Sequence, residues 1–169
     1  MAGHSHWKQT KYKKAIVDAK KGKIFSKLIH EIMVAAQAEP NPEFNPRLRQ
    51  AIEKAKQARV PQENIKRAIE KSRQVEELIL EGYGPEGVGL IVQVTSTNKQ
   101  GVLSAIKKIF TKYQGKLVDK GGVSWAFDSQ FQPKFLQKIS ESGKNTLQQL
   151  ISELNQLEEV KKIITNAEN

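Results

Sequence analysis

The chain has no cysteine among its 169 residues. Disulfides and thiolate metal sites are therefore excluded, and a cytoplasmic protein is expected. No stretch approaches the roughly 18 consecutive apolar residues that a membrane helix needs, and the first residues lack the uninterrupted apolar run of a secretory signal. Neither a membrane span nor export is expected. Internal repeats and low-complexity segments are missing too. The most consequential scarcity is of negative charge: the first 27 residues contain a single acid, Asp18.

Against that one acid stand eight lysines, Lys8, Lys11, Lys13, Lys14, Lys20, Lys21, Lys23 and Lys27. Residues 1–76 hold 17 Lys/Arg and 8 Asp/Glu, whereas residues 77–169 hold 11 and 10. Such asymmetry between two parts of a chain points to a polyanionic partner and to two domains with different tasks, a basic helical domain over 1–76 and a second over 77–169.

Periodicity gives each part its class. Residues Tyr12 to Lys21 suit a helix, which Gly22 is expected to interrupt. Ile24, Phe25, Leu28, Ile29, Ile32, Met33 and Ala36 then recur at three- and four-residue spacing, the apolar face of an amphipathic helix. Lys20, Lys23 and Lys27 line another side, and Lys13 extends that row if Gly22 bends the axis only slightly. The Pro- and Asn-rich run from Glu39 reads as a loop that ends at Asn45-Pro46, a cap followed by a first-turn proline. A helix bearing Leu48, Ala51, Ile52 and Ala55 follows, and Pro61 opens another bearing Ile65, Ala68 and Ile69. The expectation is a basic bundle of three to four helices.

Beyond Val75 the pattern changes. Val88, Leu90, Val92 and Val94 alternate as a half-buried strand. Val102, Ile106, Ile109, Phe110 and Tyr113 form a helical stripe ending near Gly115. Val123, Trp125 and Phe127 alternate as a second strand, Phe135 to Ile139 suit a third, and Pro133 belongs to a hairpin or strand edge. Leu147, Leu150, Ile151, Leu154 and Leu157 mark a second helix, and Val160 to Ile164 a last strand. The order β-α-β-β-α-β is that of a ferredoxin-like domain, and the chain is expected to be of the α+β class.

Several motifs carry less than their letters suggest. Gly82-Tyr83-Gly84-Pro85-Glu86-Gly87 spells G-x-G-x-x-G, but a dinucleotide site needs that loop to follow a strand and open a helix. Here it precedes a strand, and Pro85 removes an amide; a tight domain linker is the better reading. His4, His6 and His30 lack the further ligands of a zinc site. No nucleophile motif such as G-x-S-x-G is present. No enzyme, cofactor, metal or small-molecule substrate is expected.

A run of lysines can be no more than a solvated face. Here it is interleaved with Trp7 and Tyr12 and joined by Arg47, Arg49, Lys54 and Lys56. Lysine suits phosphate as an undemanding point charge, and arginine can grip it bidentately. Trp7 can stack on an exposed base or pack under the first helix. A membrane-surface helix is the weaker alternative, since the Ile24–Ala36 face is better spent as bundle core.

The residues also carry a resemblance. Met1-Ala2-Gly3-His4-Ser5-His6-Trp7, Lys13-Lys14-Ala15 and Asp18-Ala19-Lys20-Lys21-Gly22-Lys23-Ile24-Phe25-Ser26-Lys27-Leu28-Ile29 resemble the opening of the YebC/PmpR family. Asn45-Pro46-Arg47-Leu48-Arg49, Pro61 with Asn64-Ile65 and Arg67-Ala68-Ile69, Glu81-Gly82-Tyr83-Gly84-Pro85 and Gly122-Val123-Ser124-Trp125-Ala126-Phe127 continue it in order. The resemblance implies a helical N-terminal domain before mixed α/β structure, no cofactor or catalytic centre, and a DNA-binding transcriptional regulator. By the same resemblance, mitochondrial members look like translational activators working with the ribosome, and some bacterial members are linked to relief of stalled translation. Two departures stand out. Full-length members carry a further domain for which Phe127 to Lys134 leaves no room, and Ser96-Thr97-Asn98-Lys99-Gln100-Gly101 replaces the family's Thr-Asp-Asn-Arg-Asn-Arg.

The expected function is a non-enzymatic, cytoplasmic, nucleic-acid-binding regulator of gene expression. Its contacts would be Trp7, Lys8, Lys11, Lys13, Lys14, Lys20, Lys21, Lys23, Lys27, Arg47 and Arg49. These residues do not separate DNA from RNA, so a translation factor binding ribosomal RNA is the runner-up. A protein-interaction module whose lysines only confer solubility is the third reading.

Overall fold

The structure, a computed structural model, describes residues 3–168, with the side chains of residues 3–10 and of Tyr12 outside the described set. It divides into two compact units, residues 1–73 and 74–169.

The first unit contains three helices, α1 (Gly3–Ala36), α2 (Pro46–Gln57) and α3 (Gln62–Lys71). Gly22 does not interrupt α1, which runs unbroken for 34 residues. One glycine costs about 1 kcal/mol relative to alanine, and Ala19, Lys20, Lys21 and Lys23 around it are favourable helix formers. Asn45 begins α2 as its sequence suggests, its side-chain oxygen accepting from Leu48 N–H at 3.0 Å. The same side chain donates to the carbonyls of Ala35 and Glu39 at 2.8 and 2.7 Å, so one residue fastens the end of α1 to the start of α2. Ile32, Ala35, Ala36, Leu48, Ala51, Ala55, Val60, Ile65 and Ala68 form the core, with Phe25, Leu28, Ile29 and Met33 at its margin.

Ile24 departs from the expected core face and is 55% exposed. Length explains this. At 1.5 Å per residue α1 extends about 51 Å, whereas α2 spans only about 18 Å and α3 less, so neither can cover more than the last part of α1.

The second unit comprises β1 (Glu76–Tyr83), β2 (Gly89–Ser96), α4 (Lys99–Lys112), β3 (Lys116–Val118), α5 (Glu141–Leu154) and β4 (Val160–Thr165). The sheet order is β3-β1-β2-β4, and every paired neighbour is antiparallel. The order along the chain is β-β-α-β-α-β, not the expected β-α-β-β-α-β. The crossover β2-α4-β3 still flanks β1, but β1 enters from the N-terminal side of the unit.

Three local expectations change with it. Gly82 to Gly87 is no domain linker; it closes the β1–β2 hairpin, with Gly84 N–H donating to Val88 O at 2.8 Å. Glu86 and Gly87 take positive φ there, 55° and 80°. Strand β2 is buried on both faces: Val88, Leu90, Val92 and Val94 pack under α4 and α5, while Ile91 packs with Val123, Ala126 and Phe127. Finally, Val123 to Phe127 is not a strand. Ser124–Ala126 is a short 3-10 turn, and Phe135 to Ile139 contributes only an isolated bridge between Gln137 and Ala167.

The Glu81 carboxylate supplies the reason. It is 4% exposed and accepts the backbone N–H groups of Gly121, Val123 and Ser124 at 2.9, 2.7 and 2.8 Å. Amides converging on one anion cannot also donate to a β-ladder, so Val123 and Phe127 are delivered inward by a turn while Trp125 is left exposed.

Candidate nucleic-acid interface

The cationic segment lies on α1. Trp7 and the side chain of Lys8 fall outside the described set. Lys11, Lys13, Lys14, Lys20, Lys21, Lys23 and Lys27 are all exposed, as is every residue from Lys13 to Ile24. A core stripe extended N-terminally from Phe25 would fall on Lys21, Asp18 and Lys14, four, seven and eleven residues back. Charged groups there forbid burial, and among the described residues this stretch buries no side chain.

Lys13, Lys20 and Lys27 stand seven residues apart and share one side of α1; Lys14 and Lys21 share another. Among the described residues, no hydrogen bond or ion pair engages Lys13, Lys14, Lys20, Lys23 or Lys27. Lys21 is partly committed, its ammonium lying 5.4 Å from the centre of the Phe25 ring. The aliphatic residues Ile16, Val17 and Ile24 are exposed between the lysines. The surface offered is cationic around much of its circumference, with apolar patches that can lie against sugars or base edges.

The two arginines differ in their tasks. Arg47, in the first turn of α2, lines a small polar cleft with Glu31, Gln50 and Lys54. Arg49 holds the preceding loop, Nη1 donating to the carbonyls of Pro42 and Glu43 at 2.9 and 2.7 Å. Nothing in the sequence distinguishes a loop-holding arginine from a phosphate-gripping one. Lys54 faces Glu31 at 3.8 Å, a surface pair of small energetic weight.

With the boundary at Arg73, the first unit carries 17 basic and 7 acidic residues, and the second carries 11 of each. The whole net charge of +10 therefore resides in the first unit. Among the described residues no group of three or more His, Asp or Glu is placed to hold a metal ion. No helix of the described chain is long and apolar enough to cross a membrane.

Sequence reasoning also left Glu81 unassigned. Burial pushes its carboxyl up, but the amides of Gly121, Val123 and Ser124 and the Ser124 side chain outweigh that and hold it below the ordinary value near 4.5. A carboxylate depressed on folding stabilises above its unfolded pKa and loses that stabilisation as pH falls through the folded pKa. Stability of the second unit is thus expected to decline below about pH 4.5. Glu81→Gln should flatten that decline and cost about 2–3 kcal/mol at neutral pH, since an amide leaves at least one of the three N–H groups unpaired. Urea unfolding followed from pH 7 to 3 checks both; equal acid sensitivity of the variant would exclude Glu81 as the source.

Residues 5–75 match the family model described as the TACO1/YebC protein N-terminal domain, and residues 75–135 match that of the TACO1/YebC second and third domain. Similar proteins from Aquifex aeolicus, Persephonella marina and Dictyoglomus thermophilum, each named "Probable transcriptional regulatory protein", are 54%, 50% and 48% identical over 135 residues. Each alignment covers 76% of this chain and 54% of the relative. The chain therefore spans about half the length of the curated relatives it matches. A crystal structure of a conserved hypothetical protein from Aquifex aeolicus aligns with a TM-score of 0.66 at 32% identity, over 90% of this chain and 92% of that one. Residues 136–169, which supply α5 and β4, lie beyond both family matches.

Proposed function

The chain belongs to the TACO1/YebC family, and from that premise we propose that it is a non-enzymatic regulator of gene expression that binds nucleic acid through α1. The observation that carries this reading is the set of lysines without partners among the described residues, Lys13, Lys14, Lys20, Lys23 and Lys27, on a helical stretch exposed from Lys13 to Ile24. A cationic helix with no buried face is stabilised by company, and a polyphosphate supplies the charge this one lacks. The names of the relatives support a role in transcriptional regulation, and we take DNA as the partner to be tested first. The second unit, electrically neutral as a whole, would position the first or contact a further component.

Binding titrations with duplex DNA and structured RNA across a range of salt test the reading. Neutralising about five to seven phosphates gives a slope of log affinity against log salt of roughly −4 to −6. A flat response would reject it. Sedimentation of cell extract, with a charge-matched control for adventitious polycation binding, separates the two polymers. Salt-sensitive co-migration with ribosomes would move the partner from DNA to ribosomal RNA.

A further inference from the structure

The second unit exposes a group of large apolar side chains that its fold does not use. Trp125 is 57% exposed, Phe135 41% and Leu136 57%. The rings of Trp125 and Phe135 lie 5.4 Å apart between centroids, tilted by 31° to each other, and both residues are exposed.

The Trp125 indole is fixed from behind. Its Nε1–H donates to Gly122 O at 3.0 Å, and Tyr83 O–H donates to the same carbonyl at 2.6 Å. Gly122 sits inside the turn that Glu81 holds through Gly121, Val123 and Ser124. The chain of support thus runs from a buried carboxylate to a rigid turn to an oriented indole. With its only polar group satisfied internally, Trp125 offers a partner its π face and no hydrogen bond.

The neighbouring chain carries exposed Lys116, Lys120 and Lys134 against exposed Asp119 and Asp128. Lys116 is the strand partner of Tyr83, whose hydroxyl lies 3.4 Å from Trp125 Nε1. Lys134 N–H donates to Ala126 O, and Lys120 precedes the first residue held by Glu81. Asp128 accepts from Gln130 and Gln132 N–H within its own turn and keeps its charge. The excess of cations over anions on this segment suits a partner that is flat, aromatic and anionic.

We propose that Trp125 and Phe135 form a stacking platform for an unpaired nucleobase, with Lys116, Lys120 and Lys134 beside it taking the flanking phosphates. This rests on the nucleic-acid reading of α1 and deepens it, since the second unit then selects single-stranded over duplex segments. Stacking on an aromatic face is tolerant of base identity and demands a base free of its pair.

The chain has two tryptophans, so Trp7→Phe leaves Trp125 as the sole indole emitter. In that background, oligouridylate and oligothymidylate are expected to quench the emission, and an RNA duplex of matched phosphate number to quench it little. By anisotropy, Trp125→Ala and Phe135→Ala should each weaken single-strand binding about tenfold, leave duplex binding unchanged, and leave the circular dichroism spectrum intact. Trp125→Phe should stay within about threefold of the parent and keeps the test available if the alanine variant unfolds. Trp125→Leu separates stacking from apolar docking: parental affinity in that variant would overturn the proposal in favour of a protein surface. A change of oligomeric state on Trp125→Ala would overturn it in favour of self-association. If Trp125→Ala binds like the parent while Gln at Lys13, Lys14, Lys20 and Lys23 abolishes binding, the platform falls and the α1 interface stands. If neither set of changes matters, the interface reading falls as well.

Discussion

Replacing Lys13, Lys14, Lys20 and Lys23 together by glutamine is expected to weaken nucleic-acid binding about a thousandfold near 0.1 M salt, equivalent to about 4 kcal/mol. Each lysine that neutralises a phosphate releases about 0.9 of a counterion, which at that salt is worth nearly one decade in affinity. The slope of log affinity against log salt should become shallower by about three to four at the same time. Geometry makes the experiment clean. All four side chains are exposed, and among the described residues they carry no ion pair and the stretch they occupy buries no side chain. Glutamine has nearly the helix propensity of lysine, so thermal unfolding should not move. The matching control removes Lys99, Lys107, Lys108 and Lys162, exposed residues of the second unit, and takes away the same charge. Equal losses in the two variants would mean that only net charge matters, and that α1 is no interface.

The largest effect on folding is expected at Gly82. A Cβ there would stand 2.8 Å from Lys116 O and closer still to the Phe110 ring. The carbonyl belongs to β3, paired residue by residue with β1, and Phe110, a residue of α4, is fully buried in the core. Neither can retreat cheaply. Gly82→Ala should therefore destabilise the second unit by about 3 kcal/mol, even though alanine suits a strand better than glycine by up to about 1 kcal/mol. Phe110→Leu alone removes packing, but in the double variant it relieves part of the clash, so the two costs should fall short of additive by about 1 kcal/mol. A cycle of urea midpoints measures this. Full additivity would place the strain on the Lys116 carbonyl alone.

How much of this was legible in the sequence depends on whether a residue's role is local. Asn45 and Pro46 announce a helix start because capping involves only the next three residues, and the structure has the cap where the letters put it. The lysines of α1 were visible as charge without opposition, which needs no fold to recognise. Gly22 misled because its cost is small and the flanking turns absorb it. Strand β1 was hidden by Glu76, Glu77 and Glu81, whose charge obscures the alternation of Leu78 and Leu80. Glu81 is the sharpest case. Its partners lie some 40 residues along the chain, and its presence turns an alternating segment from strand to loop. No window around residues 123–127 contains that information. The same long reach fixes Trp125, so the sequence displays an aromatic residue without saying that its face is outward. Arg49 shows the converse, a cation that looks free in sequence and is engaged in space.

The switch along α1 from an apolar stripe at Phe25 to Lys21, Asp18 and Lys14 has a thermodynamic corollary. Among the described residues from Lys13 to Ile24 no side chain is buried, so helical order there draws on backbone hydrogen bonding. A ligand that bridges ammonium groups on successive turns would add to that order, so ordering and recognition become one coupled equilibrium. Whatever polymer fills that place acts, in effect, as the fourth helix of the bundle.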